Sequence, residues 1–160
     1  MQKVYDRLTE QGVLAIPQEQ GVQVQAVCPS FLERKQRGKG KPKHQLTTKN
    51  VRLIINFNLV NEYIKNLPTP MVTPNDVFIK LGRWKHIVIF ELNNSFFQNH
   101  MAMDALPWLG LMAPFGGLRI LKQSGQGLVG QSEEMDELLA KILKDEMREG
   151  ICAKITDDIT

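Results

Sequence analysis

The strongest pattern in the sequence is an amphipathic helix that stops at a glycine and leads into an apolar strand. Between Gln131 and Glu149, acidic residues crowd the first turns and basic residues the last, as the helix macrodipole favours. Ser132 is a suitable N-cap and Gly150 a suitable C-terminal stop. The apolar residues recur at helical spacing and predict one buried stripe, which consists of Met135, Leu138, Leu139, Ile142, Leu143 and Met147. The run Ile151 to Ile155 predicts the strand that follows.

Short apolar runs elsewhere predict further strands, several of them in hairpins. Val22 to Val27 alternates between apolar and polar residues as far as Ala26, which is typical of a strand with one wet face. Val51 to Phe57 predicts the returning strand after a basic loop, and His86 to Leu92 predicts a strongly apolar strand. Leu109 to Met112 and Leu118 to Leu121 flank a Pro-Phe-Gly-Gly turn and predict a second hairpin.

Two more segments have helical character. Lys3 to Gln11 shows a short helical pattern that Gly12 ends, and Thr73 to Asp76 has the composition of a helix start. Together with the hairpins, these helices indicate an α+β fold, in which a mixed or antiparallel sheet packs against helices.

Length and composition place the chain in the ordinary globular class. At 160 residues with 42% hydrophobic residues, we expect one domain, or one domain with a subdomain, built around a real core. Cys28 and Cys152 do not make a disulfide framework, and with His44, His86 and His100 they show no zinc-ligand spacing. We find no signal peptide and no apolar run long enough for a bilayer, so we expect an intracellular, cytoplasmic protein without a membrane partner.

The charge is concentrated in one segment. The net charge is +3, from 20 basic and 17 acidic residues, and six of the cations fall within ten residues. The other 14 basic residues face 17 acidic ones, so the rest of the chain carries −3. Such a patch predicts contact with a polyanion, although a solvated loop is the ordinary alternative. Its members are Arg34, Lys35, Arg37, Lys39, Lys41 and Lys43.

Three carboxylates lie at the ends of apolar runs. Glu91 follows the run that begins at Ile87, and the adjacent Asp157 and Asp158 follow the run that ends at Ile155. Each Mg²⁺ in a two-metal site takes one or two protein carboxylates and clamps the attacking and leaving oxygens of an in-line displacement. The pattern therefore predicts phosphoryl-transfer chemistry. The ordinary alternatives are an Asx turn at the paired aspartates and a solvated charge at Glu91.

Further motifs occur in a fixed order along the chain. An Arg begins a strand that runs into Asn-Phe-Asn-Leu, and Phe-Glu-Leu is followed five residues after the acid by an aromatic residue. A Pro-Phe-Gly turn, a Gly-Gln-Gly segment and an Ile-Thr-Asp-Asp segment follow. They correspond to Arg52–Asn61, Phe90–Phe96, Pro114–Gly116, Gly125–Gly127 and Ile155–Asp158.

In this order, the motifs resemble the reverse transcriptase domain of retroviruses and Gypsy-type LTR retrotransposons, over nearly the whole chain. The resemblance implies the fingers and the first part of the palm of an RNA-directed DNA polymerase, a nucleotidyltransferase that adds deoxynucleotides to a primer 3′-OH. It divides the chain into fingers (1–84), palm (85–111), a fingers return hairpin with a nucleotide-pocket loop (112–130), and a palm helix with the Asp-Asp strand (131–160).

The resemblance also implies roles for single residues. Glu91, Asp157 and Asp158 would be the catalytic residues and would hold two Mg²⁺ ions. Phe96 would lie under the sugar of the incoming deoxynucleoside triphosphate, Arg52 would bind its triphosphate, and Gln126 would touch it from the other side. The basic segment would close on the RNA or DNA template-primer.

Several departures from the family pattern bear on activity. Glu91 stands where the family has Asp, which adds one methylene to a metal ligand, and Ile155 stands where it has Tyr. Asn56 and Asn58 replace an acid and a base of the family. The sequence stops two residues after Asp158.

From that end we expect a fragment of a retroelement polyprotein, without the rest of the palm, the thumb and the RNase H segment. We expect the piece to be impaired or inactive alone, in the cytoplasm or in a retroelement particle. The strand ending at Ile155 is then expected to lack its hairpin partner. One alternative is a non-catalytic nucleic-acid-binding remnant of a retroelement. Another is a pseudogene translation without function.

Overall fold

The computed structural model divides the chain into two units, each with its own sheet. The structure describes residues 2–36, 39–40, 42, 47, 49–65, 73–92, 95–113, 117–155 and 158–159. One unit comprises residues 1–64 and 100–128, and the other comprises 65–99 and 129–160. Both contain helices and sheet strands, so the α+β class predicted from the sequence is confirmed.

The first unit is built on a four-stranded sheet. Its order is β1 (Leu14–Ala15), β7 (Leu118–Leu121), β6 (Gly110–Met112) and β2 (Val27–Cys28). β7 is antiparallel to both neighbours, whereas β2 runs parallel to β6, so the sheet is mixed. The hairpin predicted on either side of the Pro-Phe-Gly-Gly turn is therefore present, while its tip at 114–116 lies outside the described residues.

Helix α1 (Gln2–Glu10) belongs to this unit and is the first helix predicted from the sequence. Val4 and Tyr5 are its buried residues. Gly12 ends it with φ at 73°, and the Val13 N–H donates to the Leu8 carbonyl at 2.9 Å. Glycine suits this place because a left-handed backbone costs other residues about 1–2 kcal/mol.

The basic segment is carried by a hairpin of the first unit. β3 (Ser30–Arg34) pairs antiparallel with β4 (Val51–Ile55), in a register that runs from Ser30 opposite Ile55 to Arg34 opposite Val51. A single turn, α2 (Asn58–Asn61), follows. The returning strand predicted over Val51–Phe57 thus exists, although it ends at Ile55.

The strand predicted over Val22–Val27 was wrong in extent. Only Val27 and Cys28 pair with another strand. The alternation in burial is present nevertheless. Val22 and Val24 are partly buried against a core cluster, whereas Gln23 is exposed. The cluster consists of Ala15, Leu106 and Ile120. Hydrogen bonds from the Gln25 and Ala26 N–H groups to the distant Pro107 carbonyl (2.8 and 3.2 Å) replace a strand ladder there.

In the second unit, α3 (Pro74–Leu81) begins where the sequence predicts a helix start. Thr73 is its N-cap, and the Asp76 N–H donates to the Thr73 hydroxyl at 3.3 Å. The Asp76 carboxylate accepts in return from the Thr73 backbone N–H at 3.2 Å, which completes a reciprocal capping box.

The long helix predicted over Gln131–Glu149 is divided in two. α4 spans Gln131–Ile142 and α5 spans Lys144–Arg148, with Leu143 between them at φ −96° and ψ 17°. Ser132 is not the N-cap, because Gly130, with φ at 83°, holds that position. The stripe is only partly buried: Met135 and Leu139 are buried, whereas Leu138 and Ile142 are exposed. Gly150 follows α5 as predicted.

A small antiparallel sheet completes the second unit, in the order β5 (Phe90–Glu91), β9 (Asp158–Ile159) and β8 (Lys154–Ile155). The strands predicted over His86–Leu92 and Ile151–Ile155 are therefore only two residues long. In the described part of the chain, residues 86–89 and 151–153 belong to no ladder. The expectation that the strand ending at Ile155 lacks a partner was wrong, because β9 pairs with it inside this chain.

No helix among the described residues combines the length and the apolar character that crossing a bilayer requires.

Candidate metal and nucleotide site

The small sheet of the second unit brings two of the three predicted carboxylates together. In the ladder of β5 and β9, Glu91 lies directly opposite Asp158. Directly opposed residues of an antiparallel pair present their side chains on the same face, with Cβ atoms about 4.5–5.5 Å apart. Residues 67 positions apart in the sequence thus become neighbours. Asp157, the third predicted ligand, lies outside the described residues.

Both carboxylates face solvent. Glu91 and Asp158 are exposed, and Phe90 beside them is exposed as well. Like charges placed directly opposite each other on a sheet are destabilising by a few tenths to about 1 kcal/mol. The fold therefore places side by side two groups that repel each other unless a cation lies between them.

The chemistry of these groups suits Mg²⁺. It is a hard cation that binds one or two carboxylates and keeps several water molecules, so an exposed pair of carboxylates is a fitting donor set. In the described part of the chain, no group of three or more His, Cys, Asp and Glu residues is arranged to hold a metal. The described residues thus supply two oxygen-donor side chains, and the predicted third ligand, Asp157, adjoins Asp158 in sequence.

Phe96 belongs to the same unit as these carboxylates. It lies in a short 3₁₀ helix, Ser95–Gln98, and both Phe96 and Phe97 are partly buried. This 3₁₀ helix packs against α4. A half-buried phenyl ring five residues after Glu91 is compatible with the predicted contact to a sugar and also with simple packing.

A buried ion pair, which is not among the residues predicted from the sequence, connects helix α4 to strand β8. Lys154 Nζ contacts Asp136 Oδ1, and the two residues are 1% and 5% exposed. The sequence pattern places Asp136 only among the acidic residues of the first turns, where the helix dipole favours them. The signal was present in the sequence, because Lys154 interrupts an apolar run and Asp136 directly follows Met135 of the apolar stripe.

Arg52, predicted to bind a triphosphate, is paired with a carboxylate in the first unit. Glu33 and Arg52 are directly opposed in the β3–β4 ladder. Arg52 Nε donates to Glu33 Oε2 at 2.7 Å, and Arg52 Nη2 contacts the same oxygen. About half of each side chain is exposed, so the pair is worth at most about 1 kcal/mol and an anion of higher charge competes with it.

Gln126 lies in a glycine-flanked turn of the first unit. Its side chain is exposed, and the Asn61 amide donates to the Gly127 carbonyl at 2.9 Å. Gly125 has no room for a side chain: a Cβ there would lie 2.8 Å from the Leu121 side chain and 3.0 Å from the Phe57 ring. The turn is thus pressed onto the core while Gln126 projects into solvent.

The described members of the basic segment are exposed. Arg34 ends β3, Lys35 follows it with its N–H bonded to the Asn50 carbonyl at 2.8 Å, and Lys39 lies in a turn. Arg37, Lys41 and Lys43 lie outside the described residues.

Comparisons with known proteins bear on the fold. No protein-family model matches the chain, and no curated protein matches its sequence. The native prototype foamy virus protease-reverse transcriptase matches it with a TM-score of 0.67 and 16% identity, over 99% of this chain and 19% of that one. Foamy viral protease-reverse transcriptase in complex with double-stranded DNA matches with a TM-score of 0.69 and 17% identity, over 99% of this chain and 29% of that one. Its complex with an RNA/DNA hybrid matches with a TM-score of 0.63 and 18% identity, over 99% of this chain and 19% of that one.

The chain therefore spans less than a third of the length of these proteins. At such identities the likeness concerns the fold, and it agrees with the fold that the ordered motifs imply. The chain has a reverse transcriptase-like fold.

Proposed function

We propose that this chain carries the metal-binding and nucleotide-binding segment of a reverse transcriptase-related nucleotidyltransferase of the Gypsy type. The observation that carries the proposal is the register that sets Glu91 opposite Asp158. Two acids 67 residues apart meet at the end of a strand, in a fold similar to that of a retroviral polymerase. Repulsion between the two carboxylates destabilises the sheet, whereas a bound cation neutralises their charges.

In this account, Glu91 and Asp158, together with Asp157, hold two Mg²⁺ ions. When bound, these ions neutralise charge on the attacking and leaving oxygens. The reaction joins the primer 3′-oxygen to the α-phosphorus of a deoxynucleoside triphosphate, and pyrophosphate leaves. Phe96 packs under the sugar and excludes a 2′-hydroxyl by contact.

The first unit supplies phosphate and template contacts in this proposal. The Arg52 guanidinium exchanges the Glu33 carboxylate for the triphosphate, because its planar fork binds phosphate oxygens in pairs. Gln126 contacts the nucleotide, and the basic segment binds the backbone of an RNA or DNA template-primer.

Glu91 sets how active such a site is. Its additional methylene moves the carboxylate relative to Asp, and a displacement of about 1 Å in a catalytic site can cost on the order of 100-fold in rate. We therefore propose an impaired site that Glu91→Asp improves.

The test is Mg²⁺-dependent primer extension on an RNA template by the complete product of the gene that encodes this chain. Natural protein, Glu91→Asp and Glu91→Ala are compared. Extension that rises with Glu91→Asp and disappears with Glu91→Ala supports the proposal. Extension that is unchanged by Glu91→Ala contradicts it.

A second candidate function is nucleic-acid binding without catalysis, and the exposed Lys35 and Lys39 favour it. Binding of this kind depends on phosphate neutralisation and weakens with salt. Neutralising both lysines should then reduce the salt slope of RNA/DNA-hybrid binding by about one per lysine, while Glu91→Ala leaves binding unchanged. Loss of both binding and primer extension on Glu91→Ala would argue against this candidate.

A further inference from the structure

The buried ion pair between α4 and β8 stands next to the candidate metal site. Lys154 belongs to β8, the strand that pairs with β9, which contains Asp158. The Lys154 side chain is fully buried against Asp136 of α4. Both charges are buried in the second unit, where few apolar side chains are buried among the described residues. These buried apolar residues are Val77, Met135, Leu139, Cys152 and Ala153.

Stability alone does not explain such a pair. The desolvation of two buried charges roughly offsets their attraction, and well-packed apolar replacements are often neutral or stabilising. A role that buried polar pairs are known to serve is the selection of one register among several.

The small sheet requires such a selection. Each of its three strands is two residues long. Two rows of positions cross it: Phe90, Ile159 and Lys154 form one row, and Glu91, Asp158 and Ile155 form the other. Neighbouring residues point to opposite faces, so a slip of one residue exchanges the faces.

Apolar burial cannot select the register on the β5 side. Ile87, Val88, Ile89 and Phe90 are all exposed, so a shifted strand would bury no less apolar surface. Lys154 differs, because its burial against Asp136 is possible only when its row faces α4. In that arrangement Asp158 and Glu91 point to the other face.

We propose that Lys154 and Asp136 are positioning residues that fix the register of the β8–β9 hairpin and thereby hold Asp158 opposite Glu91. The role in metal binding rests on the proposed function, whereas the role in register does not.

The test replaces both partners with apolar residues of similar size, Asp136→Leu with Lys154→Met, in the full 160-residue chain. Two readouts are taken on folded protein. Backbone NOEs between Glu91 and Asp158, and between Lys154 and Ile159 positions, report the register. Titration with Mn²⁺, a probe for Mg²⁺ sites, reports metal affinity.

We expect the double variant to unfold at a similar or higher denaturant concentration, to lose the cross-strand NOEs, and to bind Mn²⁺ roughly 10- to 100-fold more weakly, as when a metal ligand loses its support. A folded double variant that keeps the NOEs and the natural Mn²⁺ affinity would overturn the proposal. If the double variant does not fold, Asp136→Asn replaces it, because it is matched in size and removes the negative charge that holds the buried Lys154 ammonium. Weaker Mn²⁺ binding by its folded fraction then supports the proposal, and unchanged binding overturns it.

Helix α4 offers a matched control. Glu137 and Lys141 form an exposed ion pair on the same helix, with Nζ 2.7 Å from Oε1. Glu137→Gln with Lys141→Met removes it and should change neither the NOEs nor the Mn²⁺ affinity; a comparable loss there would overturn the proposal.

A further arm uses Glu91→Gln. If this substitution leaves Mn²⁺ binding unchanged, the proposed metal site is wrong, while the NOEs still decide the role of the ion pair in register.

Discussion

At the scale of single residues, the fold gives Glu91 and Arg52 charged neighbours that the sequence does not show. An acid at the end of a strand and a basic residue on an alternating strand are usually solvated. In the structure, Glu91 faces another acid and Arg52 is held by Glu33. The first arrangement is unfavourable without a cation, and the second is exchangeable by an anion, so both are suited to binding charged ligands.

Glu91→Gln is predicted to stabilise the metal-free chain while it weakens metal binding. The substitution removes the repulsion with Asp158, which is worth up to about 1 kcal/mol, and also removes a charged oxygen donor. Urea unfolding with and without Mg²⁺ measures both effects. Glu62→Gln, at another exposed carboxylate, serves as the control and should show neither effect. A destabilised Glu91→Gln chain would contradict the assignment.

Glu33→Gln is predicted to strengthen binding of a deoxynucleoside triphosphate by up to about fivefold. The reason is that Arg52 no longer has to break its ion pair with Glu33, which stabilises the chain by at most about 1 kcal/mol. The gain should vanish in the Glu33→Gln, Arg52→Gln double variant. Isothermal titration at low salt measures the affinity. Equal gains with and without Arg52 would show that Glu33 acts only through net charge.

At the scale of elements, helices were easier to predict than strands. α1 and α3 occur where their stop and start signals lie, since Gly12 and the Thr73–Asp76 capping box are local interactions. Strand lengths depend on partners far away in sequence. The apolar run 86–92 therefore yields only Phe90–Glu91, because β9 pairs with those two residues alone.

In the candidate site, too, some features could be predicted from the sequence and others depend on contacts between distant residues. Glu91 and Asp158 could be selected from motif order, and the structure makes them neighbours. Lys154 and Asp136 each lie beside apolar residues in the sequence, which indicates burial, but nothing local shows that two residues 18 positions apart are partners. The metal-binding role of Asp157 stays a prediction, and so do the roles of Phe96, Arg52, Gln126 and the basic segment.

Thr73→Ala is predicted to destabilise α3 by about 1 kcal/mol near neutral pH, the usual cost of losing an N-cap. The Thr73 hydroxyl donates to Asp76 at 2.6 Å, and this bond, helped by the Thr73 backbone N–H, holds the pKa of Asp76 below its usual 3.8. A depressed carboxyl pKa contributes stability above the unfolded value, and the contribution fades as pH falls through the folded value.

The difference in unfolding free energy between natural and Thr73→Ala protein should therefore shrink as the pH is lowered below about 4. Urea titrations in steps of pH measure it, with Thr9→Ala on α1 as a comparison. A difference that does not depend on pH would show that Asp76 takes no part in the cap.

At the scale of the whole molecule, the two units differ in how well they are packed. Among the described residues, the first unit holds most of the buried apolar side chains, including Tyr5, Leu111 and Ile120 at 0% exposure. In the second unit, the buried apolar side chains among the described residues are Val77, Met135, Leu139, Cys152 and Ala153. Since buried apolar area is the main source of stability, we expect the second unit to open more easily.

The two cysteines can measure this difference, because Cys28 belongs to the first unit and Cys152 to the second. Burial raises the pKa of both thiols above 9.0, and the Glu146 charge adds to the effect at Cys152. Little thiolate is thus available in the folded state, and labelling requires opening. We predict that Cys152 is modified at a lower urea concentration than Cys28, as measured by mass spectrometry after pulsed alkylation. Simultaneous modification would indicate that both units unfold together.

The most direct test of the metal site is paramagnetic broadening of backbone amide NMR signals by substoichiometric Mn²⁺ in the 160-residue chain. We expect selective broadening at residues 90–92 and 154–159, which Glu91→Gln or Asp158→Asn removes and excess Mg²⁺ reverses. Broadening centred elsewhere, such as on the acidic first turn of α4, or broadening that survives both substitutions, would contradict the claim that Glu91 and Asp158 form a metal site.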